Sequence, residues 1–504
     1  MRGTPAADTG LEVGLDRWLP GTLPVGCETA VLCVGTCFHR AVDVEALWIT
    51  VDGARHRPAA QRSPRPDRAQ ELGVGAYRSG FWGIVPVTAP DEPGAVELGV
   101  EVELRGGRTE TAPLGRIAVV ARPEPMAIGG REPTGGPLIA VCMTTFNPDP
   151  GLFRTQVESI RDQTDRDWVC VISDDCSEPA SFEAIRETVA GDVRFVVTRT
   201  GANLGFYRNY ERVLAMAPRE AELIALCDHD DYWYPEKLAM LRAALGETGL
   251  AYSDARRVDA AGNVRADTLW RGRRPNHSNL ASLLISNTVP GASCLFRREV
   301  IERSLPFPDG PGWDFHDHWL ALVALALGEV AYVDRPLYDY VQHPGAVLGR
   351  VTSRPAPRRP QTRPSARERL GTWRAAYFTG YLQVQLLGEA LLARCDATLT
   401  RRKRRALRLL VNAARSPGAF AWLALRPARA VVGRNETLGT EGILVRGILW
   451  RFLLALHSWR RREPGGFADE LSVPSFRPHG FGARLRRWIA HTDQPEVRDR
   501  SSQT

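Results

Sequence analysis

The stretch LIALCDHDDYWYPEKL, residues 223–238, changes character half-way. Its apolar start, 223–226, reads as a buried strand. Three carboxylates follow within four positions, Asp228, Asp230 and Asp231. Like charges this close resist joint ionisation unless something positive lies among them. A tight carboxylate group at a strand end suits a hard divalent cation, Mg2+ or Mn2+. Such an ion takes oxygen ligands, typically one or two carboxylates with substrate phosphates and water. The competing reading is a solvated acidic turn running into the next helix, whose first turn suits Pro235. That reading is strongest for Asp231.

Outward from this stretch, strand-like and helix-like segments alternate. LIAVCMTTF (138–146), DWVCVISDD (167–175) and VRFVVTR (193–199) are apolar or β-branched runs. Between and after them, GLFRTQVESIRDQ (151–163), ASFEAIRETVA (180–190), GFYRNYERVLAMA (205–217) and PEKLAMLRAALGE (235–247) have helical periodicity. This order predicts an α/β fold, a parallel sheet with crossover helices. Such sheets bind ligands at the carboxyl ends of their strands. At those ends stand TTFN, SDDCS and DHDDYW, two of the three rich in carboxylates.

The flanks differ. Residues 1–125 hold short alternating runs such as AVLCVGTCF, EALWITVDG and AVELGVEVEL, split by Gly, Pro and Asp, and predict a β-sandwich-like accessory domain without catalytic residues. A Pro/Gly-rich linker spans 126–136, and the α/β domain spans 137–349. Residues 365–465 read as helical, and 466–504 as a basic, irregular tail. In 442–462, apolar residues recur at helical spacing, interrupted by Arg446 and Arg451, and lead into Arg460, Arg461 and Arg462. That helix is expected either to lie in a membrane surface, its arginines on anionic lipid, or to pack on the rest of the chain.

The chain of 504 residues is long enough for two to four domains, and 44% hydrophobic content supports a sizeable core. A net charge of +7 is mild for this length and does not mark a nucleic-acid binder. Nine cysteines, several inside apolar runs, read as reduced and buried, and Cys33 with Cys37 lacks the second pair a zinc site needs. The start of the sequence shows no signal peptide and no stretch reaches a membrane span, so a cytoplasmic protein is expected, with the inner membrane face as a peripheral location.

Taken in order, TTFN (144–147), SDDCS (173–177), NLGFYRNYE (203–211), DHDDYW (228–233), AYSDARRVDAAGNV (251–264), VPGASCLFRRE (289–299), HDHWLALVA (316–324) and YVQH (340–343) resemble family 2 glycosyltransferases of the GT-A fold, most closely their bacterial rhamnosyltransferase-like group. The resemblance implies an inverting, metal-dependent transfer of a hexose from a nucleoside diphosphate sugar to a glycan or lipid-linked acceptor. It implies Asp230 as metal ligand and Asp228 as a contact to the metal, through water, or to the donor ribose. Asp174 or Asp175 would accept from the nucleotide base. Arg208 would face the pyrophosphate or brace Asp174. Thr145, Phe146, Asn147, Asn203, Gly205 and His343 complete the donor site, His343 near the diphosphate or metal. Asp317 is the implied general base and Asp314 its reserve; an N-cap is the alternative role for Asp317. The sequence departs from the group at His318, where Trp is common, at Val341, where Arg is common, and at Gly345 and Ala346, near an expected Asn. A nucleotidyltransferase, whose glycine- and lysine-rich loop is missing after residue 146, and a non-catalytic carbohydrate-binding protein are the alternatives.

Overall fold

In a computed structural model of the chain, the structure describes residues 10–127, 136–270, 274–310, 315–343, 365–434, 436–460 and Ser472. Asp314, Gly345, Ala346, Arg461 and Arg462 lie outside the described residues, as does most of the 466–504 tail.

Residues 10–120 form two facing sheets. One has strands Leu11–Leu15, Glu28–His39, Gly80–Thr88 and Ala60–Ser63; the other has Thr22–Pro24, Thr109–Val120, Gly94–Leu104, Val44–Val51 and Ala54–His56. Period-two alternation explains the core between them. Val96, Leu98, Val100, Val102 and Leu104 point inward and meet Val31, Cys33, Phe81 and Val85 of the opposite sheet. The strand Glu28–His39 breaks this rule, since every residue after Glu28 is buried. Its second face, Ala30, Leu32 and Val34, belongs to another core, shared with helices from the end of the chain.

Those helices cover the sandwich. Leu382–Cys395 runs between the strand Glu28–His39 and the helix His316–Leu327. Its Arg394 donates to the Glu28 carbonyl at 2.8 Å and to Ser304 at 2.7 Å. Trp82 meets Tyr377, Phe378 and Trp450 with ring centroids 6.0, 5.2 and 6.4 Å away. Leu444, Ile448, Trp450 and Leu454 of the helix Thr440–Arg460 are buried in the same core. The apolar stripe expected to enter a membrane is therefore largely a packing face, although Ile443, Phe452, Leu453 and Leu456 remain exposed. No described helix is long and apolar enough to cross a membrane.

The α/β expectation is borne out by a nine-stranded sheet. Phe195–Arg199, Trp168–Asp174, Ile139–Thr145 and Leu223–Cys227 are parallel neighbours in that order. Cys294–Arg297 adds antiparallel, followed by Leu250–Asp259, Val330–Gln342 and the two-residue strand Tyr232–Trp233, and the ninth strand, Val264–Ala266, pairs with Leu250–Asp259 off this path. Thr145 stands opposite Asp174, and Asp174 opposite Arg199. Register alone thus brings the three strand exits together. The nine cysteines are free thiols, all buried except the half-buried Cys176.

Candidate active site

The acidic turn after Leu223–Cys227 holds its three carboxylates in three environments. Asp228 faces Tyr210, whose hydroxyl lies 2.7 Å from Oδ1. Burial first, and then the charge on Asp230, holds the Asp228 carboxyl above the usual range. For Asp230, burial works in the same direction, but the His343 imidazole, Nε2 at 2.8 Å from Oδ2, and His229 outweigh it and keep the carboxyl below its usual range. The same contact raises His343. Asp231 is 1% exposed; Oδ1 accepts from the Val341 N–H at 3.0 Å, and Oδ2 has no protein partner. Burial and its two acidic neighbours push it well above the carboxylate range, and its bond from Val341 pins Val330–Gln342 to the turn.

Asp317 approaches from another element. It sits in the first turn of His316–Leu327 and is no cap, for Phe315 occupies that position without a side-chain bond. The His318 N–H donates to Asp317 Oδ1 at 2.6 Å. Burial, with the charge of Asp228 adding to it, pushes the Asp317 carboxyl up to about 7. Next to it, His316 lies flat on Tyr210, ring centroids 3.6 Å apart at 17°, and burial drives its imidazole down to about 3. Tyr210 therefore links the two halves, one edge on Asp228 and one face on the residue before Asp317. Gly291 closes the gap from below. A Cβ there would stand 3.0 Å from His316 Nε2 and 3.3 Å from Asp317 Cβ.

Lys237 has no counterpart in the sequence reading. It is fully buried, its ammonium bonded to the Ala292 carbonyl and 3.4 Å from the Trp233 ring centroid. Burial lowers it to about 7. A lysine inside PEKL reads as an ordinary exposed helical residue, and no local signal marks it as buried beneath the acidic turn.

The other expected residues form the second strand exit. Asp174 is fully buried and accepts from Thr145 Oγ1 at 3.1 Å and the Ser177 N–H at 2.9 Å. Asp175 accepts from the Leu204 and Gly205 N–H groups at 2.7 and 2.8 Å, while Asn203 Nδ2 donates to the Asp175 carbonyl at 3.1 Å. Both carboxylates thus brace turns at the strand exit where one of them was expected to accept from a nucleotide base. Gly205, at φ 83°, occupies the left-handed region just ahead of the helix Phe206–Ala215. Asn147, also in that region at φ 43°, accepts from the Glu178 N–H at 2.8 Å and joins the first two strand exits. Phe146 beside it presents a half-exposed ring.

Arg208 corrects the expectation. It reaches neither Asp174 nor the acidic turn, because its guanidinium is held by Glu211, Asp309 and the Phe307 carbonyl. Arg199 is the arginine beside Asp174, Nε 3.5 Å from Oδ2. Arg208 instead lines a cavity of about 1630 Å3 between the sandwich and the α/β sheet, with Trp18 and Phe307 on its wall and none of Asp228, Asp230 or Asp317.

As a cation site, the donors fit one arrangement and not another. Among the described residues no three His, Cys, Asp or Glu side chains converge into a ready-made cage. Asp228 and Asp230, two carboxylates on one turn, fit an ion that takes its remaining oxygens from a substrate and water.

Comparison with known proteins gives the affiliation. Residues 140–305 match the model for glycosyl transferase family 2. That stretch is therefore similar to glycosyl transferase family 2. The chain is 28% identical over 229 residues to the putative glycosyltransferase EpsH of Bacillus subtilis, covering 42% of this chain and 63% of that protein. An uncharacterized protein, y4gI of Sinorhizobium fredii, is 29% identical over 176 residues, 34% of this chain and 18% of its own length. The match thus spans less than two thirds of either relative. The S. aureus TarS 1–349 structure, in complex with UDP-GlcNAc, overlaps at a TM-score of 0.37 with 14% identity, over 61% of this chain and 90% of that one.

Proposed function

We propose that the chain is an inverting, metal-dependent glycosyltransferase that moves a hexosyl group, rhamnosyl among the candidates, from a nucleoside diphosphate sugar to a glycan precursor, lipid-linked in its natural form. The observation that carries this reading is the meeting of the Asp228–Asp230 turn, inside the stretch that matches family 2, with Asp317 from a separate helix beyond that stretch. One pair of carboxylates suits a cation and diphosphate; the third, held near neutrality, suits proton transfer.

In this reading Asp230, oriented by His343, and Asp228, oriented by Tyr210, would hold Mg2+ or Mn2+. The cation would supply positive charge against the departing diphosphate. Phe146 offers its ring to the nucleotide base, and Asn147 with Asp174 and Asp175 keeps that exit in shape. Asp317 accepts the proton of the attacking acceptor hydroxyl as the new glycosidic bond forms. The acid thus formed lies within the range where it can release that proton to solvent afterwards. Residues 137–349 are the catalytic unit, and the sandwich and terminal helices are accessories.

The test is transfer from labelled nucleotide sugars by the purified chain with Mg2+ or Mn2+. Wild type is expected to consume one donor and to stop on addition of EDTA. Asp230→Ala is expected to lose both metal-dependent donor binding and transfer. Full activity of folded Asp230→Ala without metal would remove the cation role. Consumption of a nucleoside triphosphate would make the chain a nucleotidyltransferase, and glycan binding without turnover would make it a binding protein.

A further inference from the structure

The segment that joins the helices Pro417–Leu425 and Thr440–Arg460 is unusually apolar on its outside. Leu425 is 72% exposed, Val431 88%, Val432 72% and Leu438 63%. Single exposed aliphatic residues are ordinary; four large ones within fourteen positions are not. The backbone presents them deliberately. A 3-10 helix, Arg426–Val432, ends at Gly433 in the left-handed region and turns the chain back. Leu438 has φ 49°, a conformation that costs a leucine energy and here returns no burial in water.

The charge around these residues is one-sided. Residues 415–446 contain five arginines and two glutamates. Both glutamates are turned inward onto arginines: Glu436 is 3.0 Å from Arg429, and Glu441 is 3.5 Å from Arg426. Arg434 and Arg446 are exposed within and just after this segment, while the exposed Arg415 lies close enough to Glu389 to act on its carboxyl. Exposed aliphatic tips on a segment with an excess of arginine match the boundary of an anionic lipid leaflet, with apolar side chains among the first acyl carbons and guanidinium groups on phosphates.

The segment is also tied to the candidate site. Arg426 Nη2 donates to Ser282 Oγ at 2.8 Å, and Ser282 Oγ lies 3.2 Å from Glu436. Ser282 belongs to the helix Leu280–Ile285, whose Leu283 carbonyl is 2.7 Å from His318 Nε2; the His318 N–H is the donor to Asp317. A surface anchored here would stand at a fixed distance from Asp317.

We propose that residues 425–438, rather than the arginine cluster at 460–462, form the membrane-docking shoulder of this protein, and that its partner is an anionic lipid surface. Docking does not depend on the transferase reading, so the two can fail separately. The purified full chain is tested by flotation with vesicles of phosphatidylglycerol and phosphatidylcholine, and with phosphatidylcholine alone. Wild type is expected to float with the anionic vesicles, less so in high salt, and weakly with the neutral ones. The double variant Val431→Asp, Val432→Asp is expected to lose about tenfold or more in partitioning, the scale of removing two apolar anchors and adding two repelled charges. Val193→Asp, at a valine 95% exposed on the α/β domain, serves as control and is expected to float like wild type. Unchanged melting temperatures and unchanged transfer to a short soluble acceptor would show that the double variant is folded. The proposal is overturned if wild type stays in solution with anionic vesicles, if the double variant floats equally well, or if Arg460→Glu with Arg461→Glu and Arg462→Glu abolishes flotation while the double variant does not. A wild-type dimer that the double variant dissociates, with no vesicle binding by either, would assign the patch to a second copy of the chain and overturn it too.

Discussion

Asp317 carries a conflict between stability and chemistry that a single atom can resolve. Its carboxyl rises from 3.8 to about 7 because the site removes it from water. Between those values the folded chain holds a proton that the unfolded chain releases, so stability falls as pH rises through that window and stays low above it. Asp317→Asn removes the charge and keeps the shape. It is expected to leave stability unchanged near about pH 4 and to raise it by roughly 2 kcal/mol near about pH 8, a value reduced from full linkage because the group is only half-buried. Denaturant midpoints at the two pH values would measure this. Turnover is expected to drop by about two orders of magnitude or more with donor affinity near normal. In the wild type, kcat/KM is expected to rise with pH through about 7, since the base works only when ionised. A flat profile from about pH 5 to 9, or an active Asp317→Asn, would take the base role from this residue.

At the scale of elements, the site depends on how closely two of them approach. The helix His316–Leu327 starts against Gly291, where an added methyl group would fit only if its neighbours gave way slightly. Gly291→Ala is expected to push His316 off Tyr210 by a few tenths of an ångström and to carry Asp317 with it. A misplacement of that kind costs about tenfold to a hundredfold in rate and about 1–3 kcal/mol in overpacking, without touching the donor side. Donor binding unchanged, kcat reduced and melting lowered is the expected pattern; an equal loss of donor affinity would mean that Gly291 serves the nucleotide. The elements themselves were largely legible. The apolar runs at 138–146, 167–175 and 223–226 became parallel strands because a sheet covered on both faces demands such runs, and their exits met because register leaves no choice. The side-chain directions were not legible. NLGFYRNYE placed Arg208 near the donor by order in the chain, but a helix offers several faces, and the partners that decided the matter, Asp309 and Phe307, lie about a hundred residues away. Lys237 was hidden for the same reason: its Ala292 partner lies in the distant 3-10 turn Gly291–Ser293 and its Tyr338 neighbour in the distant strand Val330–Gln342.

For the whole molecule, the sandwich and the terminal helices share one core, and this changes what either can do alone. The sequence separates residues 1–125 from 365–465 by more than two hundred positions, and the alternation of Gly80–Thr88 gives no hint that its outer face is covered. Trp82 supplies the reason. Fully buried, it donates from Nε1 toward Tyr377 at 3.2 Å and sits among Phe378 and Trp450. Arg451 also bonds the Ala59 carbonyl at 2.5 Å across the same seam. Trp82→Ala is expected to cost about 3–5 kcal/mol, the usual price of an aromatic removed from a packed core. The location of that loss is the informative part. With one continuous core, calorimetry is expected to show the whole main transition moving down. Limited proteolysis of the variant is then expected to release the 365–460 helices and the sandwich together. If only the sandwich melts earlier and the helices keep their protection, the seam is a contact between independent units. The shoulder at 425–438 could then move relative to Asp317, and membrane docking would no longer fix the position of the base.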